Sequence, residues 1–234
     1  MAAKTSGRTN WTANCAPALF VVLFLSAAFP VDGQDAKHAA SDETATAWKQ
    51  VGSQDGVAIF SRSHAEATLE EFRAVGEIDA APAAVFAIVN NPEEYPRFMP
   101  YTSECRVLQR FDHGIVAYQR LDLPLVSDRD YTLRSVYSRA EGPDGATYFI
   151  HWAQANDLGP APLPDVERVK VCRGSWVIEP ASLGKSRVTY TVSSGAGERL
   201  PASLSGLGSR VAIRKIFAAI RKEVRAPKYE DAKE

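Results

Sequence analysis

A chain of 234 residues, 45% of them hydrophobic and 24% charged, has the composition of an ordinary globular protein and enough length for one sizeable core. The formal net charge is -1, and no basic run interleaved with aromatic residues precedes the C-terminal helix. Nucleic acid is therefore not an expected partner, and we expect a single domain.

The first part of the chain has the residue order of a secretory signal peptide. Lys4 and Arg8 precede an unbroken apolar stretch at 16–25, and small residues follow it. This stretch is several residues short of the roughly 20 apolar residues that a membrane-spanning helix needs. We predict a signal peptide over 1–33, with cleavage after Ala28 as the alternative, and hence an exported protein, periplasmic or secreted.

The cysteines bear on the redox environment. Cys15 lies before the apolar stretch, so it is not placed like the lipid-modified cysteine at the end of a signal. Cys105 and Cys172 would meet an export compartment, where a disulfide can persist. Both fall inside apolar, strand-like runs, which favours two buried thiols, and a bridge between them stays open as the alternative.

The residue composition of the sequence changes near Trp48. The segment 34–47 consists mostly of Ala, Ser, Thr and charged residues without periodicity, which predicts a flexible leader. After it, Asp55-Gly56 is a turn signal, and two strands are predicted at 57–60 and 68–79. The folded domain is therefore expected to begin at residue 48.

A short helix and then a run of strands follow. Pro82 suits a first helical turn, and apolar residues continue until Asn90-Asn91-Pro92 ends the helix. Strand-like segments without helical intervals come next, at 103–110, 114–122, 129–139, 146–155, 168–179 and 186–193. Strands joined by short links must be largely antiparallel, because a parallel pair needs a long crossover.

One long amphipathic helix is predicted to close the domain at residue 225, leaving 226–234 as a disordered tail. Over 203–225 apolar residues recur at helical spacing, namely Leu204, Leu207, Val211, Phe217, Ile220 and Val224. A single antiparallel sheet has one face that needs cover, and this helix is the only element long enough to supply it. A curved sheet around one helix leaves space between them, so we expect an α+β fold with a hydrophobic cavity.

Several segments in fixed order resemble one known superfamily. They are Ile78 to Val89, Tyr95-Pro96-Arg97-Phe98-Met99-Pro100, Arg129-Asp130-Tyr131, Gly174 to Pro180, Val188 to Val192, and Leu200-Pro201 before the last helix. Together they span about residues 48–225 and are similar to the START, polyketide-cyclase and coenzyme Q-binding superfamily. The resemblance implies a helix-grip fold whose internal tunnel binds a sterol, a phospholipid or another lipid, with the C-terminal helix as part of the lid. One departure is the missing Trp that often leads into that helix in START members.

Candidate ligand contacts follow from this fold and from side-chain alternation. In the strand 129–139, every second residue from Arg129 onward lies on one face, which is rich in aromatic side chains. We expect this face to be the inner one. The predicted ligand-binding residues are Arg129, Tyr131, Leu133, Ser135 and Tyr137 from this strand, Tyr148 and Trp152 from the next, and Leu207 and Val211 from the last helix. Arg129 is either a cation for the ligand's head group or an ion-pair partner between strands. Asp130 is interpreted as a strand-end or turn acceptor.

Two surface features have open interpretations. The last helix carries Arg210, Arg214, Lys215, Arg221, Lys222 and Arg225 against one acidic residue, Glu223. This basic face predicts either transient contact with anionic lipid at a membrane surface or an ordinary solvated helix face. The proline-rich loop at 156–165 is either a gate over the cavity or a plain connector.

These features predict a monomeric, non-enzymatic lipid carrier. No metal-ligand spacing, nucleophile motif or phosphate-binding loop occurs, so no cofactor or metal is expected. One alternative is a cyclase or aromatase in which Tyr131, Tyr137 or Arg129 polarises a polyketide carbonyl. Another is a quinone-binding chaperone, suggested by the segment 95–98.

Overall fold

The computed structural model describes residues 46–63, 70–124, 126–182, 184–194 and 202–229, with side chains in the last helix from residue 208 onward. The predicted signal peptide at 1–33 and the predicted leader, up to residue 45, lie outside the described residues. Residues 41–234 form one compact unit.

Strands of the described ranges join into one sheet in the order β1-β2-β3-β10-β9-β7-β6-β5-β4. Neighbours along this path pair antiparallel, as predicted, and only the short β8 pairs in parallel, with β6. Their bounds are β1 Lys49–Gln54, β2 Val57–Ser63, β3 Glu70–Ile78, β4 Thr102–Phe111, β5 Gly114–Leu121, β6 Arg129–Gly142, β7 Gly145–Gln154, β8 Glu167–Arg168, β9 Cys172–Pro180 and β10 Ser186–Ser194.

The strand β1 is absent from the sequence-based expectation, although the turn that follows it was recognised. Asp55 and Gly56 have φ values of 53° and 68°, which suits the two central residues of a type I′ hairpin turn. That turn reverses the chain and pairs β1 with β2. The half-polar sequence of β1 suits an edge strand, because an edge strand needs little apolar surface.

Two of the three α-helices in the described ranges lie where proline and apolar spacing predict them, and the short one at Tyr95–Phe98 was not predicted. Helix α1 spans Pro82–Val89, helix α2 spans Tyr95–Phe98, and helix α3 spans Ala202–Glu223, with short 3-10 turns at Pro92–Glu94, Asn156–Leu158 and Pro227–Tyr229. Helix α1 begins with proline in its first turn and contacts β7 and β9. Helix α3 contacts β2, β3 and both shorter helices.

The core forms where α3 packs on the sheet. Ile213, Phe217 and Ile220 lie one turn apart and are fully buried. The Phe217 ring lies 6.4 Å from the Trp176 ring on β9. A Cβ on Gly76 would stand 3.0 Å from the Phe217 ring, so this glycine lets the helix approach β3 closely. Each fully buried side chain of this size contributes about 1.5–3 kcal/mol.

The buried stripe of α3 differs from the predicted one. Val211 was expected to face the sheet, but it lies two positions from Ile213 and therefore about 160° around the helix from it. It is only half-buried. Helix α3 has two rows of apolar residues. The row that packs on the sheet contains Ile213 and not Val211.

The chain remains ordered beyond the predicted domain end at residue 225. Ala226 packs against the core, and Tyr229, in the last 3-10 turn, is buried within it. Residues 226–229, which fall in the predicted disordered tail, thus pack against the domain in the structure, because the Tyr229 side chain lies in an apolar site. The rest of the predicted tail, 230–234, lies outside the described residues.

Candidate functional site

The inner face of β6 carries the predicted contact residues of that strand. Leu133 belongs to the buried core, and Tyr131 and Tyr137 pack against it. Strand pairing sets Ser135 opposite Trp152 on β7. The structure therefore shows the predicted alternation, with this aromatic face turned toward the helices.

Aromatic rings from α1, β6 and β7 meet at one end of this face. Phe86 of α1 stacks on Tyr148, with ring centroids 4.7 Å apart. The same ring meets Tyr137 edge to face at 5.5 Å. Two predicted contact residues are thus brought together by a helix residue that the sequence-based prediction did not include.

A second aromatic group lies further along the sheet. The ring of Tyr190 on β10 is 4.3 Å from that of Trp176 and stacks on that of Trp152 at 5.7 Å. A Cβ on Gly174 would stand 2.4 Å from the Trp152 ring, so this glycine makes room for the indole. These rings form a continuous apolar surface beneath the helices.

Two phenols on this surface combine partial accessibility with strong desolvation. The side chains of Tyr131 and Tyr190 are only half-buried. Desolvation by the surrounding protein nevertheless raises the pKa of both phenols well above the ordinary value. Both phenols therefore remain protonated near neutral pH.

Arg129 takes the structural role that the sequence left open. It is 4% exposed, and its guanidinium lies 3.3 Å from the Glu167 carboxylate of β8. It also donates a hydrogen bond to the Ser127 carbonyl. The charge of Arg129 is therefore offset within the protein, where it helps to hold β8 against β6.

Asp130 is part of a buried network on the opposite, outer face of the sheet. Its carboxylate accepts two hydrogen bonds from Arg168, at 2.6 and 3.0 Å, and one from Tyr118 at 3.1 Å. Asp130 is fully buried. Of the two interpretations, strand-end acceptor and turn acceptor, the structure bears out the first, because Asp130 lies at the start of β6 and accepts these bonds there.

The same network fastens the proline-rich loop. Arg168 also donates to the Pro160 carbonyl at 3.1 Å, and Asn156 bridges the Thr132 amide and the Val169 carbonyl, both at 2.8 Å. A loop held at both ends by buried polar bonds is a connector rather than a gate. The structure thus favours the plainer of the two alternatives for residues 156–165.

Most cations of α3 bind other parts of the protein. Arg221 donates to the carbonyl groups of Asp55 and Glu77 at 2.6–3.0 Å. Arg210 and Arg214 donate to residues of β1, and Lys215 donates to the Tyr101 hydroxyl. These bonds attach the helix to the β1–β2 hairpin, to β3 and to Tyr101, so much of the predicted basic surface serves to hold the helix in place.

The thiols of Cys105 and Cys172 are free and buried. Burial raises the pKa of Cys105 to about 12 and that of Cys172 to about 11. Both thiols stay protonated near neutral pH, as expected of small apolar side chains rather than of nucleophiles.

No helix among the described residues is long and apolar enough to cross a membrane. Within the same described ranges, no cluster of His, Cys, Asp and Glu side chains has the makings of a metal site.

Sequence comparison assigns this fold to a family. The sequence profile described as polyketide cyclase / dehydrase and lipid transport matches residues 78–221, which is more than half of the chain. The chain belongs to this family. An uncharacterized protein of Pseudomonas aeruginosa is 24% identical over 170 residues, which cover 71% of this chain and 81% of that protein.

Solved structures share the architecture of this polyketide cyclase / dehydrase and lipid transport family member. A STAR-related lipid transfer protein from Xanthomonas axonopodis superposes with a TM-score of 0.69 at 21% identity, covering 77% of this chain and all of the solved fragment. The human StAR-related lipid transfer protein 5 superposes with a TM-score of 0.68 at 18% identity, covering 82% and 94% of the two chains. These superpositions show the START helix-grip fold that the sequence resemblance implied.

Not every predicted contact of this family member lies on the inner surface. Tyr131, Leu133, Ser135, Tyr137, Tyr148 and Trp152 share it, whereas Arg129 is engaged with β8 and Val211 is turned away from the buried stripe. The side chain of Leu207 lies outside the described residues. As ligand contacts, all of these residues stay predictions.

The sequence-based prediction missed Gln119, Phe86 and Tyr190. Gln119 on β5 is directly opposite Tyr131 on β6. Its side-chain oxygen accepts a hydrogen bond of 3.0 Å from the Tyr131 hydroxyl. For Gln119 and Tyr190 the only sequence signal was strand alternation in 114–122 and 186–193, and it needed the strand register before a face could be chosen. For Phe86 the signal was the apolar face of helix α1.

Proposed function

We propose that this protein is exported and encloses an apolar lipid between the inner face of the sheet and helix α3. The observation that carries the proposal is the aromatic surface of β6, β7, β9 and β10, where half-buried side chains have desolvated polar ends. Removing hydrocarbon from water would supply about 0.8 kcal/mol per CH₂ group. A lipid carrier needs this kind of lining, with few polar groups to orient the ligand.

The proposal includes no catalytic step. A carbonyl-polarising enzyme needs an available cation or acid on the inner face, and Arg129, the cation suggested for that role, is paired with Glu167. The hydroxyl of Tyr131, which was suggested for the same role, already donates to Gln119. These contacts support carriage over cyclase or aromatase chemistry.

The segment 95–98, which suggested quinone binding, has local partners. The Tyr95 hydroxyl donates to the Val89 carbonyl, and Arg97 pairs with Glu94 at 2.9 Å and with Glu223 on α3. These bonds join α2 to α1 and α3. The motif that resembles quinone-binding relatives thus has a structural explanation here.

Co-purification tests the proposal directly. The mature protein, isolated from its own cells, is analysed by native mass spectrometry before and after organic extraction. We expect a stoichiometric lipid that extraction removes. A protein that carries no lipid and turns over an aromatic polyketide precursor would contradict carriage and support the enzyme alternative.

A blocking variant locates the binding face. Ser135→Phe adds a ring to the inner face of β6, whereas Ser138→Phe adds the same ring to the exposed outer face. We expect the first variant to lose most of the bound lipid and the second to retain it, with both proteins folded by circular dichroism. Equal lipid content in the two variants would place the ligand elsewhere.

We also propose that the C-terminal end of α3 makes transient contact with anionic membranes. Fewer basic residues take part in this contact than the sequence predicted. The side chains of Lys222 and Arg225 make no hydrogen bond to any residue that the structure describes, in contrast to those of Arg214 and Arg221. Sedimentation with vesicles of phosphatidylcholine and phosphatidylglycerol measures this contact. We expect the Lys222→Gln, Arg225→Gln double variant to bind less than the wild type, and unchanged binding would refute the contact.

A further inference from the structure

We propose that Gln119 and Tyr131 form a hydrogen-bonding site for the hydroxyl group of an uncharged lipid alcohol. This inference rests on the proposed function, because it assigns the head group of the lipid that the inner face encloses. Neither residue belongs to a catalytic arrangement, and Gln119 has no role in the fold's apolar core beyond its pairing with Tyr131.

The pair lies on the inner face with a defined donor direction. Gln119 and Tyr131 are opposite each other on β5 and β6, and the Tyr131 hydroxyl donates to Oε1 of Gln119 at 3.0 Å. Gln119 is 9% exposed. A buried amide oxygen that accepts from a phenol leaves the amide NH₂ as the group that is still to be satisfied.

The hydrogen-bonding capacity that remains fits an alcohol. Nε2 of Gln119 makes no hydrogen bond to any residue within the described ranges, so a donor is available. The Tyr131 hydroxyl donates its one hydrogen bond to Gln119, and its oxygen can still accept one. A hydroxyl group both accepts and donates and can therefore satisfy the two residues together, whereas a ketone, an ester or a quinone carbonyl only accepts.

The surrounding charges disfavour an ionic head group. The two arginines that the register of β6 turns toward the inner face are already paired, Arg129 with Glu167 at 3.3 Å and Arg139 with Glu141 at 2.7 Å. Desolvation raises the pKa of the Tyr131 phenol, which therefore remains neutral. A carboxylate or phosphate brought to Gln119 would lose its hydration without gaining a free cation, and this loss is costly.

A series of ligands with one hydrocarbon chain and different head groups tests the inference. Displacement of the neutral dye Nile red from the purified mature protein is measured with 1-hexadecanol, 1-methoxyhexadecane, hexadecane and hexadecanoate. A single net hydrogen bond corresponds to about three- to tenfold in affinity. We expect the alcohol to bind at least that much more tightly than the ether, which cannot donate, and than the alkane.

Two variants and a matched control assign the preference to the pair. Gln119→Met and Tyr131→Phe should each bring the affinity for the alcohol close to that for the ether. Tyr118→Phe makes the same change on the same strand pair, but on the outer face, where the hydroxyl donates to Asp130. It should keep the wild-type preference for the alcohol.

The outcomes separate this inference from the proposed function. Equal binding of alcohol, ether and alkane by the wild type would overturn the hydroxyl site and leave lipid carriage standing. Tightest binding of hexadecanoate would overturn it in favour of an ionic head group. If the wild type binds neither Nile red nor any member of the series, carriage and the hydroxyl site both fail. The wild-type series decides between these results even if a variant does not fold.

Discussion

Gly174 controls how the Trp152 indole lies on the inner face. Added to Gly174, a Cβ would stand 2.2 Å from the Thr191 carbonyl oxygen on β10 as well as 2.4 Å from the indole. The backbone oxygen cannot move without disturbing the β9–β10 pairing. One methyl group at this position therefore has to displace both the strand and the indole.

We predict that Gly174→Ala lowers the free energy of unfolding by about 1–3 kcal/mol, the usual cost of overpacking. Chemical denaturation followed by tryptophan fluorescence measures the loss and reports the displaced indole in the same experiment. Gly52→Ala is the control, because nothing lies within 4 Å of a Cβ at that position. Equal losses in the two variants would refute the steric explanation.

The thiols provide a second prediction for individual residues. A pH of about 8 is well below the raised pKa values of Cys105 and Cys172, so both thiols remain protonated. Both are also buried. We expect iodoacetamide to leave both unlabelled in the folded protein and to label both in denaturant, as measured by peptide mass spectrometry. Rapid labelling of either thiol in the folded state would show that its strand opens or that it is exposed.

Among the elements, the proline-rich loop is held in place by the buried ion pair between Arg168 and Asp130. Arg168 follows the loop and meets Asp130 at the start of β6, and its remaining hydrogen bond returns to Pro160 within the loop. The side chain of Asp130 is fully buried, whereas that of Asp128 is 26% exposed where it pairs with Arg120. The two ion pairs thus differ mainly in burial.

We predict that Asp130→Asn costs about 3–5 kcal/mol of stability, because it leaves a largely buried arginine without its counter-charge. Asp128→Asn, at the more exposed pair, should cost about 1 kcal/mol or less. Urea denaturation of the two variants provides the comparison. A small loss for Asp130→Asn would mean that the loop is held by its other contacts.

At the scale of the whole domain, residues after helix α3 pack back onto the fold. Tyr229 lies in the core, and Lys228 bonds to Glu94 at 2.8 Å, so the chain beyond α3 returns to the α1–α2 region. Glu94 also pairs with Arg97, which in turn pairs with Glu223. Lys228 also lies 3.6 Å from the Glu223 carboxylate, so these four residues form a ring of charges that joins α2 to the C-terminal end of α3.

We predict that Tyr229→Ala costs about 3–5 kcal/mol, as expected for a buried aromatic side chain. Tyr229→Phe keeps the ring and should cost about 1 kcal/mol or less. Thermal and urea denaturation distinguish the two. If the alanine variant is as stable as the wild type, residues 226–229 form no part of the folded domain.

The ring of charges also predicts a pH dependence. Hydrogen bonds from Lys228 and then Arg97 lower the pKa of Glu94 below its ordinary value of 4.5. A pKa that is lower in the folded state means that the contribution is complete near neutral pH and is lost as the pH falls through the folded-state value. We therefore expect the wild type to melt higher than Glu94→Gln at pH 7, with the difference shrinking below pH 4.5. A constant difference across this range would exclude a charge effect.

Local patterns in the sequence determined most of the fold. Alternation and turn residues located most of the strands, and Pro82 marks the start of helix α1, because these signals depend on neighbours along the chain. The inner face of β6 was predictable for the same reason, since alternation needs only the strand itself. The half-polar edge strand β1 carries no such signal and was missed.

Register and burial were decided only by the tertiary structure. Tyr131 gains Gln119 as a partner through the β5–β6 pairing, and Asp130 gains Arg168 through a loop that folds back 38 residues later. Val211 and Ile213 are equally apolar in sequence, and only packing against β3 selects the row that is buried. Such choices depend on distant residues meeting in space, so a local pattern cannot make them.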